Sequence, residues 1–228
     1  MSQEKTRKRM VGLWLSTTLP DGRLVMIVQL RGLFNWHNAK PESFPGGSQP
    51  TVHGGVDSSE TFLEALAREV DEELALQITD PNIGEPILVY KEEADSKELE
   101  VYTTTVPYEY FREDGAARLH FSSGGALPLF LEDLVTIRVA DSSKKEVLTP
   151  NDRIVMFKDS FHGLLGAFSQ LLCVDDIKFL PFNRKDHLQG TKASLRETAD
   201  GGRVIVLLYE DNCTDELCHS WSSEFRFA

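Results

Sequence analysis

GGVDSSETFLEALAREVDEELAL, residues 54–76, carries seven carboxylates and a single basic residue, Arg68. Placed on a helix at roughly 100° per residue, Leu63, Leu66, Ala67, Val70 and Leu74 form one apolar stripe suited to packing on a sheet. Glu69, Glu72 and Glu73, spaced i, i+3 and i+4, gather on another face, and Glu64 and Arg68 share a third flank. Asp57, Ser58 or Ser59 is placed to cap the N-terminus, and Glu60 falls in the first turn, where negative charge is favoured. Three like charges at this spacing destabilise an isolated helix by roughly a few tenths of a kcal/mol per pair. A hard divalent cation inverts that sign, because Mg2+ takes oxygen ligands and is held through a few carboxylates together with substrate phosphates. An acidic helix face is equally the mark of a solvated surface, so the triple cluster alone does not decide between the two readings.

The whole stretch is more specific. It resembles the Nudix box, G-x5-E-x7-R-E-U-x-E-E-x-G-U, where U is a bulky apolar residue. Gly54, Glu60, Arg68, Glu69, Val70, Glu72, Glu73 and Leu76 take its fixed places, and Ala75 stands where the second glycine belongs. The resemblance covers 23 of 228 residues. The family glycine serves a left-handed or tight turn in which alanine fits less well, so the helix exit is expected to shift by a residue and leave the acidic face intact. FPGG (44–47) imitates the start of the box, but counting from Gly47 puts His53 at the place of the first glutamate, so the register begins at Gly54.

The resemblance implies an α/β fold, an α/β/α sandwich with a mixed central sheet. It also implies hydrolysis of a nucleoside diphosphate linked to another group, by water attack on phosphorus with Mg2+ or Mn2+. Carried over by position, Glu69, Glu72 and Glu73 are metal ligands together with the Gly54 carbonyl, Arg68 orients a box carboxylate, and Glu60 is structural or outer-shell. A further carboxylate from a later loop serves many members as base or ligand. Glu98, Glu100, Glu109, Glu113 and Asp114 are the candidates, and Glu113 is chosen by approximate spacing. For substrate contacts we select Arg31 and Trp36, with Phe34, His37, Lys40 and Phe44 as alternatives that are also read as loop anchors or surface, and Tyr90, which stands close to the tyrosine that dinucleoside polyphosphate members of the family carry beyond the box. The alternative to an enzyme is a Nudix-fold nucleotide-binding or regulatory protein without catalysis.

Outward from the box, residues 10–19 and 23–31 read as a hairpin around Asp21-Gly22, and 32–51 as a long loop. TVHGGV is a short strand ending at the glycines. Residues 85–92 and 98–111 have strand character, 112–128 read as a loop, and 127–140 as strand with a turn near Glu132-Asp133. Residues 149–172 read as a helix with Thr149 as cap and Pro150 in the first turn, and 201–210 as a strand. This mixture is α/β. The organisation expected is a tail (1–9), a Nudix-like domain (10–172) and an extension (173–228) packed on it or covering a homodimer partner.

The net charge of −12 argues against a nucleic-acid polymer as partner, while a small nucleotide-type polyanion remains accessible through bridging cations. Three cysteines make no disulfide framework and fit a reducing cytoplasm. The basic start lacks a following apolar run, and no stretch reaches membrane-span length, so no membrane partner is expected.

Overall fold

The computed structural model describes residues 7–36, 38–112, 114–120, 122–141, 148–149, 152–182 and 193–210. Its longest strand, β1 (Lys8–Thr18), organises the sheet because both its faces are apolar. Val11, Leu13 and Leu15 point to one side and Trp14 to the other, all buried. After it come β2 (Leu24–Arg31), β3 (Phe34–Asn35), β4 (Lys40–Pro41), β5 (Ser48–Gln49), β6 (Val52–Gly55) and α1 (Phe62–Leu74). Then follow β7 (Ile87–Ala94), β8 (Lys97–Thr105), β9 (Ser123–Leu129), β10 (Ile137–Ala140), β11 (Ile154–Phe157) and α2 (Lys158–Leu172). The chain continues through β12 (Asp176–Phe182), β13 (Ala193–Glu197) and β14 (Arg203–Glu210).

The main sheet runs β10-β11-β5-β2-β1-β8-β7, with β6 on β1 and β9 on β2. It is mixed: β1 pairs antiparallel with β2 and parallel with β8. β1 changes partner along its length, so that Met10–Leu13 pair with β6 and Leu15–Thr18 with β2. That switch holds Gly54 and Gly55 at the N-terminal half of β1. α1 covers one face through Leu66, Val70 and Leu74, and α2 the other through Phe161, Leu164 and Phe168. The result is an α/β/α sandwich with a mixed central sheet. Ile177 and Ile205, from the small sheet β12-β14-β13, join the core on the α2 side. Among the described residues no helix is long and apolar enough to cross a membrane.

Several local expectations are corrected. Residues 154–157 form a strand and not the start of a helix. Ile-Val-Met-Phe is a short apolar run that fits either element, and parallel pairing with β10 decides it. Thr149 does not cap a helix; its N–H donates to Asp152, and Pro150 lies outside the described residues. β8 stops at Thr105, and Tyr108–Phe111 after Pro107 is a 3-10 turn. β1 begins at Lys8, and the Arg9 guanidinium donates to the Glu60 carbonyl at 3.0 Å. The cap of α1 is Thr61, whose hydroxyl accepts from the Glu64 N–H while the Glu64 carboxylate accepts from the Thr61 N–H, a capping box. Glu60 therefore precedes the helix. The buried arc takes in Ala65, while Leu63 stands 54% exposed.

Ala75 does not shift the helix exit. It occupies the left-handed position itself, at φ 54° and ψ 33°, and its N–H closes the helix on the Asp71 carbonyl. An L-residue there is strained by about 1 kcal/mol relative to glycine. Because Ala75 is exposed, removing its methyl opens no buried cavity. Ala75→Gly is expected to stabilise the protein by about 1 kcal/mol, read as a higher urea midpoint at unchanged slope.

Candidate active site

The site forms where α1 crosses β6. On the helix wheel Glu73 falls close to Leu66, and Glu69 one step further round, so both carboxylates point toward the sheet instead of away from it. Glycine makes this possible: a methyl group on Gly54 would overlap the Glu69 carboxyl group, whereas one on Gly55 would meet nothing. The Glu69 side chain is only 12% exposed. Its Oε1 accepts from Arg68 Nη1 at 2.8 Å, and burial pushes its carboxyl above the usual range in spite of that partner.

Glu73 is more perturbed. Burial first, then the neighbouring Glu69 charge, raises it to about 8, and the His53 N–H (3.3 Å) and the Gln29 side chain offset only part of this. Glu72 is 58% exposed, with Oε2 at 3.4 Å from Arg68 Nη1. Arg68 is the hub. Its Nε and Nη2 grip Glu60 at 2.8 and 3.0 Å, and Nη2 also donates to the Gly55 carbonyl at 2.9 Å. That grip holds the Glu60 carboxyl down to about 2. Arg68 thus ties α1 to β6 and to the loop between them.

Among the described residues no three His, Cys, Asp or Glu side chains stand together as a ready metal cage. Glu69 is engaged by Arg68, and Glu72 faces solvent. The donor chemistry nevertheless fits a hard divalent cation: hard carboxylate oxygens, two of them driven toward protonation by burial, beside a glycine that leaves room.

β6 also walls a cleft of about 850 Å³, closed by β1, the end of β2, β7 and the start of α2. Arg31 and Tyr90 line it together with Gly54. Arg31 Nη2 meets Glu42 at 2.8 Å. The Tyr90 ring stands edge-on to His162, centroids 5.6 Å apart, and burial pushes its hydroxyl above the usual range.

No family model matches the chain, and no curated protein sequence matches it. Solved structures do. A MutT/Nudix family protein from Listeria innocua is 17% identical, with 72% of this chain and 94% of that chain covered and a TM-score of 0.47. A MutT/Nudix family protein from Enterococcus faecalis is 12% identical, with 76% and 65% covered and a TM-score of 0.49. The Nudix domain of NrtR from Shewanella oneidensis, solved with ADP ribose, is 14% identical, with 73% and 90% covered and a TM-score of 0.42.

Not every selected residue is brought together. Trp36 does not line the cleft; it stands 58% exposed, edge-on to Phe34 at 4.8 Å, next to β3, which pairs with β4 in a two-stranded sheet separate from the main one. Glu113 lies outside the described residues, as does His37. Glu98 pairs with Arg9, Glu100 with Lys91, and Asp114 lies 3.6 Å from Arg112. Phe44 is a buried loop anchor. Spacing missed Lys97, which the fold sets between Glu92 and Asp159 in the cleft, and Ser48, whose buried Oγ has no partner among the described residues. Lys97 and Asp159 are 62 residues apart, so no local pattern joins them. His53 could have been found from its place beside Gly54; desolvation pushes its imidazole down to about 4, leaving it neutral.

Proposed function

We propose that the protein is a divalent-metal-dependent hydrolase that cleaves the pyrophosphate bond of a nucleoside diphosphate derivative by attack of water on phosphorus. One observation carries the reading: two glutamates of α1 are turned into the sheet, Glu69 against Gly54 and Glu73 onto the His53 N–H, and Glu73 has no cationic partner among the described residues. A helix that only packs would place apolar side chains there, since burying an unpaired carboxylate is destabilising. Glu69, Glu72, Glu73 and the Gly54 carbonyl would hold Mg2+ or Mn2+. When bound, such an ion neutralises bridge oxygens and acidifies water. Arg68 keeps Glu69 oriented. The cleft receives the organic half, with Lys97 and Arg31 facing its anionic groups and Tyr90 its ring or sugar. Glu113 is kept as the proposed proton acceptor.

A second reading, nucleotide binding without cleavage, is favoured by the outward Glu72 and by the hold of Arg68 on Glu69. A panel of nucleoside diphosphate derivatives, with Mg2+ and with EDTA, separates the two. Turnover of at least one compound that stops with EDTA and falls on the order of 10²-fold or more in Glu72→Gln is expected. Tight binding of a panel compound without turnover would establish the second reading instead.

A further inference from the structure

α1 leaves part of its own face of the sheet uncovered. Val25 and Ile27 point to that face, since Met26 and Val28 between and beyond them belong to the α2 core. Pro128 of β9 lies opposite Ile27. Tyr108, Phe111, Arg112, Ala117, Arg118 and Leu119 form the other wall of a cleft of about 560 Å³, separate in its lining from the cleft at β6.

Three features define what fits this second cleft. At its floor Thr17 is 2% exposed, and its Oγ1 has no partner among the described residues. Leaving a buried hydroxyl unmet is unfavourable, and a ligand atom in the cleft would satisfy it. Tyr108, Phe111 and Phe130 line the body of the cleft. At its mouth stand Arg112 and Arg118, both exposed. Arg112 lies 3.6 Å from Asp114, and Arg118 commits Nη1 to the Gly115 and Ala117 carbonyls.

An apolar aromatic slot with a hydroxyl at its inner end and guanidinium charge at its mouth calls for a flat ring with a polar edge and an anionic group opposite. An acyl chain lacks the polar inner edge, and a bare phosphate lacks the ring. We infer that this cleft is a second binding site, for a nucleoside 5′-monophosphate. The base lies among the aromatic walls with its edge on Thr17, and the phosphate meets Arg112 and Arg118. The inference goes beyond the proposed hydrolysis, because no box carboxylate lines the cleft and binding there requires no metal ion.

Calorimetric titration of the full chain in EDTA tests it, using the four ribonucleoside 5′-monophosphates, their nucleosides and inorganic phosphate. At least one monophosphate is expected to bind with a Kd below about 1 mM, and at least about tenfold more tightly than its nucleoside or phosphate alone. Arg112→Gln with Arg118→Gln should weaken it about tenfold or more. Ala126→Trp, which fills the cleft from an exposed position, should abolish it. Thr17→Val should weaken binding while raising the melting temperature, a pairing that mere loss of fold cannot produce. Lys97→Gln, in the other cleft, should leave unchanged the binding that the double arginine variant removes. The inference is overturned if no monophosphate binds, or if binding survives the double arginine variant and Ala126→Trp, or if Lys97→Gln removes the same binding that the double arginine variant removes.

Discussion

Glu73→Gln is expected to raise the melting temperature of the metal-free protein at pH 8 and to abolish hydrolysis. The carboxyl sits at about 8 in the folded chain against 4.5 in its ordinary setting. For an acid raised in this way, the protonated folded form is fully stable below pH 4.5, and stability drains away as pH rises through about 8. A shift of this size corresponds to a few kcal/mol, on the order of 1.4 kcal/mol per pKa unit. Glutamine is neutral throughout and lacks this loss, so the gain should be absent at pH 4 and largest at pH 8 and above. In a domain of this size each kcal/mol moves the melting point by about 2–4 °C. Turnover should fall on the order of 10³-fold, about 4 kcal/mol of transition-state stabilisation. Thermal melts in EDTA at the two pH values, with initial rates in Mg2+, check both halves. A variant that melts lower than the parent at pH 8 would show that Glu73 is held by contacts other than the His53 N–H and the Gln29 side chain.

Gly54→Ala is the sharper geometric test. β6 is fixed by its pairing of Gly54 with Val11, so the added methyl must displace the Glu69 carboxyl group and its 2.8 Å bond to Arg68. Overpacking of this kind destabilises by about 1–3 kcal/mol. Mg2+ affinity should drop on the order of tenfold or more, and turnover about 10²-fold or more. Gly55→Ala is the matched control, because its methyl would enter open space. Equal effects from the two substitutions, in melting temperature and in metal titration, would refute the clearance role assigned to Gly54.

Local order is legible in the residue pattern alone. The hairpin follows from two apolar runs around Asp21-Gly22, and α1 follows from the spacing of Leu66, Val70 and Leu74. Where two elements share one signature, periodicity fails. Ile154–Phe157 could extend a helix or enter a sheet, and pairing with β10 and β5 decides. The pattern misses the N-cap by two residues because Asp57, Ser58 and Ser59 are all competent caps, and the Thr61–Glu64 box prevails by supplying two reciprocal hydrogen bonds.

The acidic spacing, the helix that carries it and the glycines that precede it follow from residue order alone, since each depends on neighbours within a few turns. Residue order does not reveal that Glu69 and Glu73 face the sheet, that Lys97 meets Asp159, that Trp36 stands away from the cleft, or that Thr17 floors a second one. Those are decided by the tertiary structure. Desolvation and pairing across the sheet arise from elements separated by tens of residues, and residue spacing along the chain records neither.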